Sequence, residues 1–219
     1  PKYPTLKDLI DKLNNVYQTN SNKAPKIVFV MEGTFQGKAS RHAATTSVTI
    51  KYEMKMIGAG QKRTFLTGYN LCIEGTKEEG KEVVVQDMTS SCARYGVYSK
   101  NGLSFLCDSM TFTECVEYGV YAYNTEGRLN NCVITHCGKS GIFCTGNTLI
   151  ELEGSQTKVD GNVTRGWGGG HYGLFTDDKS SIIHLLFPLT KESVSTNNYG
   201  RRNYGGRGVI EEVTVFGQE

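Results

Sequence analysis

The chain has 219 residues and a formal net charge of +2, from 24 basic and 22 acidic residues. That length suits one domain, and the near-balance of charge supplies no global field for nucleic acid or a membrane surface. Gly is high (26 residues) and Pro low (4), but Gly shows no three-residue period and no apolar run approaches ~18 residues, which argues against collagen and a membrane-spanning helix.

Residues 5–18 read as an amphipathic helix. Leu6, Leu9, Ile10, Leu13, Val16 and Tyr17 follow the spacing of one buried face, with Thr5 as N-cap and Asp8 three residues on. A polar turn ends at Pro25. From Lys26 onward short β-rich runs follow one another: Ile27–Val30, Ser47–Tyr52, Met54–Ile57, Thr64–Thr67, Leu71–Glu74 and Glu82–Gln86. No helical pattern separates them, so a parallel α/β fold fails for want of crossover helices. A first residue of Pro reads as a processed or partial chain, which leaves a removed signal open.

The middle of the chain repeats. Tyr95-Gly96-Val97-Tyr98 recurs as Tyr118-Gly119-Val120-Tyr121, as Ser140-Gly141-Ile142-Phe143 and as Tyr172-Gly173-Leu174-Phe175. Cys92, Cys115 and Cys137 each precede the motif Gly by four residues; Asn101 and Asn124 follow it by five and Asn147 by six. A period near 22 predicts a solenoid in which each repeat buries its face against its neighbours. The leucine-rich pattern and a six-residue period are both missing. The prediction is therefore an all-β, right-handed single-stranded parallel β-helix with an N-terminal capping α-helix. Its organisation is expected as cap and linker 1–25, coils 26–189, and a C-terminal loop and closing strand 190–219. Val97, Val120, Ile142 and Leu174 should form an inward ladder and the three Cys another. A buried, reduced Cys ladder points to an intracellular or virion setting and leaves secretion open.

Lys26-Ile27-Val28-Phe29-Val30-Met31-Glu32-Gly33-Thr34-Phe35 and Ile57-Gly58-Ala59-Gly60-Gln61-Lys62-Arg63-Thr64-Phe65-Leu66-Thr67-Gly68 resemble the entry phrases of the pectin-lyase-like right-handed β-helix superfamily. The resemblance covers roughly residues 5–185. It implies the fold and, if the chain is catalytic, a polysaccharide lyase or glycoside hydrolase. The Asn-Thr-Asp, Gly-His-Gly and Asp-Pro-His-Glu strings of catalytic members are missing.

The insert that stretches the last repeat, from Arg165 through Asp178, is the strongest candidate site, because solenoid insertions often build the binding face. Trp167 could stack on a sugar ring. Arg165 and His171 could bind or deprotonate an acidic sugar, with Asp177 as a third catalytic candidate. Tyr172 and Asp178 complete the expected binding set, and the two Asp are the only pointer to calcium; no other metal or cofactor is expected. A packed structural loop is the plainer reading, since adjacent strand residues point to opposite faces. Tyr199, Arg201 and Tyr204 also belong to the expected binding set; they lie in an Arg-Gly-Tyr loop that reads as a solvated loop or a protein contact rather than an RNA site. Asn162-Val163-Thr164 is a glycosylation triplet, usable only on secretion. Two functions follow: acidic-polysaccharide binding or processing centred on 165–178, or a non-catalytic structural protein of a virion, cell surface or large assembly, docking through the 190–208 loop.

Overall fold

The computed structural model describes residues 5–38, 46–76, 81–165, 170–199 and 202–214. Helix α1 spans Leu6–Thr19, with the Thr5 hydroxyl accepting the Asp8 N–H at 3.1 Å. Seven coils follow. The first holds β1 (Ile27–Phe29), β2 (Gly33–Gln36) and β3 (Thr46–Ile50); the second holds β4 (Lys55–Ile57), β5 (Thr64–Thr67) and β6 (Tyr69–Ile73). In the third and fourth, one long strand bends around a corner before the next begins: β7 (Glu82–Ser91) with β8 (Tyr95–Lys100), then β9 (Ser104–Thr113) with β10 (Tyr118–Tyr123). The fifth holds β11 (Glu126–Asn130), β12 (Val133–Thr135) and β13 (Ile142–Thr145); the sixth holds β14 (Leu149–Glu153), β15 (Lys158–Asp160) and β16 (Leu174–Thr176). The seventh holds β17 (Ile182–Leu186), the short helix α2 (Lys191–Val194), β18 (Ser195–Thr196) and β19 (Tyr204–Gly206), and β20 (Val209–Val213) opens an eighth turn.

All strand pairing among the described residues is parallel. The strands stack into three faces. Face 1 runs β1-β4-β7-β9-β11-β14-β17-β20; face 2 runs from β2 and β5 through the second halves of β7 and β9 to β12, β15 and β18; face 3 runs β3-β6-β8-β10-β13-β16-β19. Register makes equivalent side chains pile into columns. Val97, Val120, Ile142 and Leu174 stand in one inward column and are fully buried, as the repeat predicts. Residues with positive φ turn the corners: Asp87, Ser109 and Asn131 between faces 1 and 2; Cys92, Glu114 and His136 between faces 2 and 3; Asn101 and Asn124 between face 3 and the next face 1. Asn and Asp tolerate this left-handed backbone better than most residues.

Two ladder assignments change. The step from the third coil to the fourth contains 23 residues rather than 22, and the extra residue falls in the corner before Tyr118. Pairing of Ser91 with Thr113 therefore sets Cys92 against Glu114, not Cys115. Ala93 takes the buried place beside Cys115 and Cys137, while the half-buried Cys92 thiol faces the Glu114 carboxylate at 3.3 Å. At the third corner, Asn124 Nδ2 donates to Asn101 Oδ1 at 2.8 Å, but Gly146, φ +66°, holds the next corner position in place of Asn147. The triplet Asn162 is buried, and its side chain bonds Ile134 O and the Cys137 N–H, so the folded chain hides it from glycosylation.

Both ends of the stack are treated. Leu6, Ile10 and Leu13 cover the first coil. The buried Asn14 serves the exposed edge of β3, donating to Thr49 O at 2.7 Å and accepting the Lys51 N–H at 3.3 Å. At the other end the coiling does not stop at residue 189. Strands β18, β19 and β20 pair with β15, β16 and β17, because their backbone groups find partners only by continuing the stack. No helix among the described residues is long and apolar enough to cross a membrane.

Candidate functional site

Strand alternation that buries Val97, Val120 and Ile142 turns Tyr98, Tyr121 and Phe143 outward on face 3. Tyr98 and Tyr121 stack with centroids 5.1 Å apart, and Tyr121 and Phe143 do the same at 5.1 Å. Phe143 meets Phe175 edge-on at 5.3 Å. Alongside, Tyr95 and Tyr118 lie with their rings nearly parallel and centroids 6.1 Å apart, and Tyr95 touches Tyr98 while Tyr118 touches Tyr121. The rings spend much of their faces on one another; Tyr118 is buried, and the half-buried Tyr95, Tyr98 and Tyr121 keep part of their surface in solvent. The hydroxyls of Tyr95, Tyr98, Tyr118 and Tyr121 bond to no other described residue. Burial, and then the Glu117 carboxylate, push the Tyr95 hydroxyl up to about 12 and raise Tyr118 further. The Tyr95 and Tyr118 phenols therefore stay protonated and can both donate and accept.

A charged border runs along the corner side of this row. Glu117 is bracketed by Arg94 and Lys139, each 3.0 Å away. Burial would raise its carboxyl, but the two cations outweigh that and hold it below the usual range. Arg94 lies over the Tyr95 ring at 5.2 Å and Lys139 over Tyr118 at 5.4 Å.

The insert reaches this border. His171 packs its ring 6.0 Å from Tyr118 and 6.3 Å from Phe175, and its Nδ1 is buried without a hydrogen-bond partner. Burial, reinforced by Lys139, lowers its basicity, so the imidazole is neutral at pH 7. Tyr172 lies 5.5 Å from Phe175 and covers Gly205, and its N–H donates to Ser140 Oγ at 3.2 Å. Arg165 runs across Gly138 of the preceding coil, where a Cβ would come within 2.9 Å of its stem. Val163, just ahead of it, holds φ +63°, a strained state for a β-branched residue that costs roughly 1–3 kcal/mol.

The remaining predicted residues scatter. Asp177 follows β16 while His171 precedes it, so an extended strand at roughly 3.3 Å per residue holds the two apart. Asp177 stays on face 3 and accepts weakly from Thr145 Oγ1 at 3.4 Å. Asp178 is consumed by the corner. It accepts from Thr145 Oγ1, the Gly146 N–H, the Ser180 N–H and the Ser180 and Ser181 hydroxyls. Burial would raise its carboxyl; those bonds hold it down to about 2. Among the described residues no group of three or more His, Cys, Asp or Glu is arranged to hold a metal ion, and the two Asp gain no third ligand. Tyr204 donates to Glu192 at 2.9 Å, and Tyr199 is exposed in the last coil. Trp167 and Arg201 lie outside the described residues.

The sequence reading passed over Tyr98, Tyr121, Phe143, Arg94, Glu117 and Lys139. The signal was the fourth residue of the Tyr-Gly-Val-Tyr motif, which must face outward once the Val faces inward. A depression of about 370 Å³ on face 1 is lined by Glu82, Glu126, Glu151 and Arg128, the last 3.6 Å from Glu82. It lies away from the insert.

A family model described as right-handed β-helix region matches residues 64–187, and the chain belongs to that family. No curated protein matches it. Among solved structures, ORF18 of Geobacillus virus E2 aligns with 93% of this chain at 10% identity and a TM-score of 0.46. The chain spans 58% of that protein's length.

Proposed function

We propose that this β-helix binds an acidic polysaccharide strand along the outer aromatic row of face 3, beside the 165–178 insert. The observation that carries the reading is the row of half-buried Tyr95, Tyr98 and Tyr121, whose hydroxyls have no partner among the described residues, bordered by Arg94 and Lys139. Hydroxyls spaced by one coil can bond successive sugar units, and the cations suit carboxylate or sulfate groups. His171 and Tyr172 extend the row toward Phe175, and Arg165 adds charge from the insert. The role is binding rather than cleavage, because Arg165 and His171 share one edge of the face while Asp177 stands at the other and Asp178 is tied into a corner.

A glycan array followed by calorimetry with the best acidic oligosaccharide tests this. Tyr98→Ala combined with Tyr121→Ala should weaken binding about 10-fold or more, a loss of ~1.4 kcal/mol or above. Absence of binding to every glycan, or full affinity in the double variant, would overturn the reading. An absorbance assay for unsaturated uronides should stay silent.

A further inference from the structure

We infer that Glu117 is a built-in competitor at the anion subsite of face 3: its carboxylate holds, between Arg94 and Lys139, the place that an acidic group of the bound glycan takes, and binding swings it out. The inference rests on the face 3 reading proposed above. Two observations lead there.

The trio is a filled anion subsite. The Glu117 N–H donates to Arg94 O at 3.0 Å and the Lys139 N–H to Glu117 O at 2.7 Å, so the three residues stack on successive coils at one corner. One carboxylate oxygen accepts from Arg94 Nε at 3.0 Å and the other from Lys139 Nζ at 3.0 Å. A carboxylate bonded by a cation from the coil on either side is the contact that an acidic sugar needs there. The two cations lie over the Tyr95 and Tyr118 rings, so the subsite borders the aromatic row.

The filling group is held by partners that can change hands. Asp178, at the opposite edge of face 3, is fixed by backbone N–H groups and short hydroxyl side chains. Glu117 is held instead by the ends of two long, partly exposed side chains. A bound anion can take both cations while the Glu117 side chain turns out to solvent, and the cations exchange one carboxylate for another. That exchange lowers affinity, because a tethered group competes as though present at roughly millimolar concentration or more. An anion that left Glu117 in place would sit against a like charge in a partly buried border.

Calorimetry on the whole chain with oligogalacturonate and chondroitin sulfate hexasaccharides tests the inference, with circular dichroism confirming folding of each variant. Glu117→Gln should bind at least ~10-fold more tightly than wild type, since the amide keeps the shape and removes the competing charge. Its affinity should also fall more steeply with salt, by about one further released ion, because solution anions replace Glu117 on the cations. Glu117→Asp, which withdraws the charge by one methylene, should fall between the two and carries the test if the amide variant does not fold. Glu114→Gln removes the same charge from an exposed neighbour that faces the Cys92 thiol, and should match wild type. Tyr98→Ala with Tyr121→Ala should weaken binding in both the wild-type and Glu117→Gln backgrounds. Unchanged or weaker affinity in Glu117→Gln, or equal tightening by Glu114→Gln, with the Tyr dependence intact, would overturn the competitor and leave the face 3 reading standing. No binding by any variant, or binding indifferent to the Tyr changes, would overturn the face 3 reading and the competitor with it.

Discussion

Asp178 collects five hydrogen bonds at the corner between face 3 and face 1, and the sequence offered it instead as a ligand or half of a carboxylate pair. Its carboxyl, held down to about 2, makes a signed prediction. A folded value below the unfolded one stabilises fully above the unfolded pKa of ~3.9, and the contribution fades as pH falls from there through about 2. Asp178→Ala should cost roughly 1–3 kcal/mol in urea denaturation at pH 7, and the gap from wild type should close near pH 2. Gly127 makes a second residue-scale case. A Cβ there would come within 2.3 Å of the Phe105 ring, which fills the inward column beneath it. Gly127→Ala should cost about 1–3 kcal/mol by overpacking, measured the same way. Neither effect was fully legible in the sequence: Phe105 lies 22 positions from Gly127, and although Ser180 and Ser181 are local to Asp178, Thr145 and Gly146 lie 33 and 32 positions before it.

Helix α1 was legible in full, from the Thr5 cap to the Leu6, Ile10, Leu13 face, since both signals are local. What it does for β3 was not. Asn14 looks like a polar interruption on the buried stripe, yet its amide completes the edge of the first coil at Thr49 and Lys51. Asn14→Leu should destabilise by about 1–3 kcal/mol, with faster amide exchange at Val48–Ile50 than in β10. Retained protection in β3 would show that the helix covers the coil by apolar packing alone. The aromatic row was half legible. The Tyr-Gly-Val-Tyr repeat names its members, but attention to the inward Val hid that the same alternation builds an outer surface.

Across the whole molecule the seven free cysteines report on stacking. Six are buried and Cys92, displaced to a corner, is half-exposed. A thiol reagent should label Cys92 first in the native protein; rapid native labelling of Cys107, Cys115, Cys132, Cys137 or Cys144, which are buried in the interior, would contradict the column arrangement. The two ends of the stack also differ in kind, one carrying inward and outward carboxylates on β20 and the other the exposed apolar side chains of Ile27 and Phe29 on β1. Such asymmetry is invisible to a repeat pattern, which treats every coil as equivalent.

By itself the sequence determined the solenoid, its capping helix and the inward Val-Ile-Leu column, because a 22-residue period with alternating burial has one economical packing. Tertiary structure decided the register. A single additional corner residue moved Cys92 out of its column, a glycine displaced Asn147 from another, and strand length separated His171 from Asp177. Fold follows from periodicity, which tolerates a slip of one residue; a site depends on which side chains share a face, and in a β-strand one residue is the difference between core and surface.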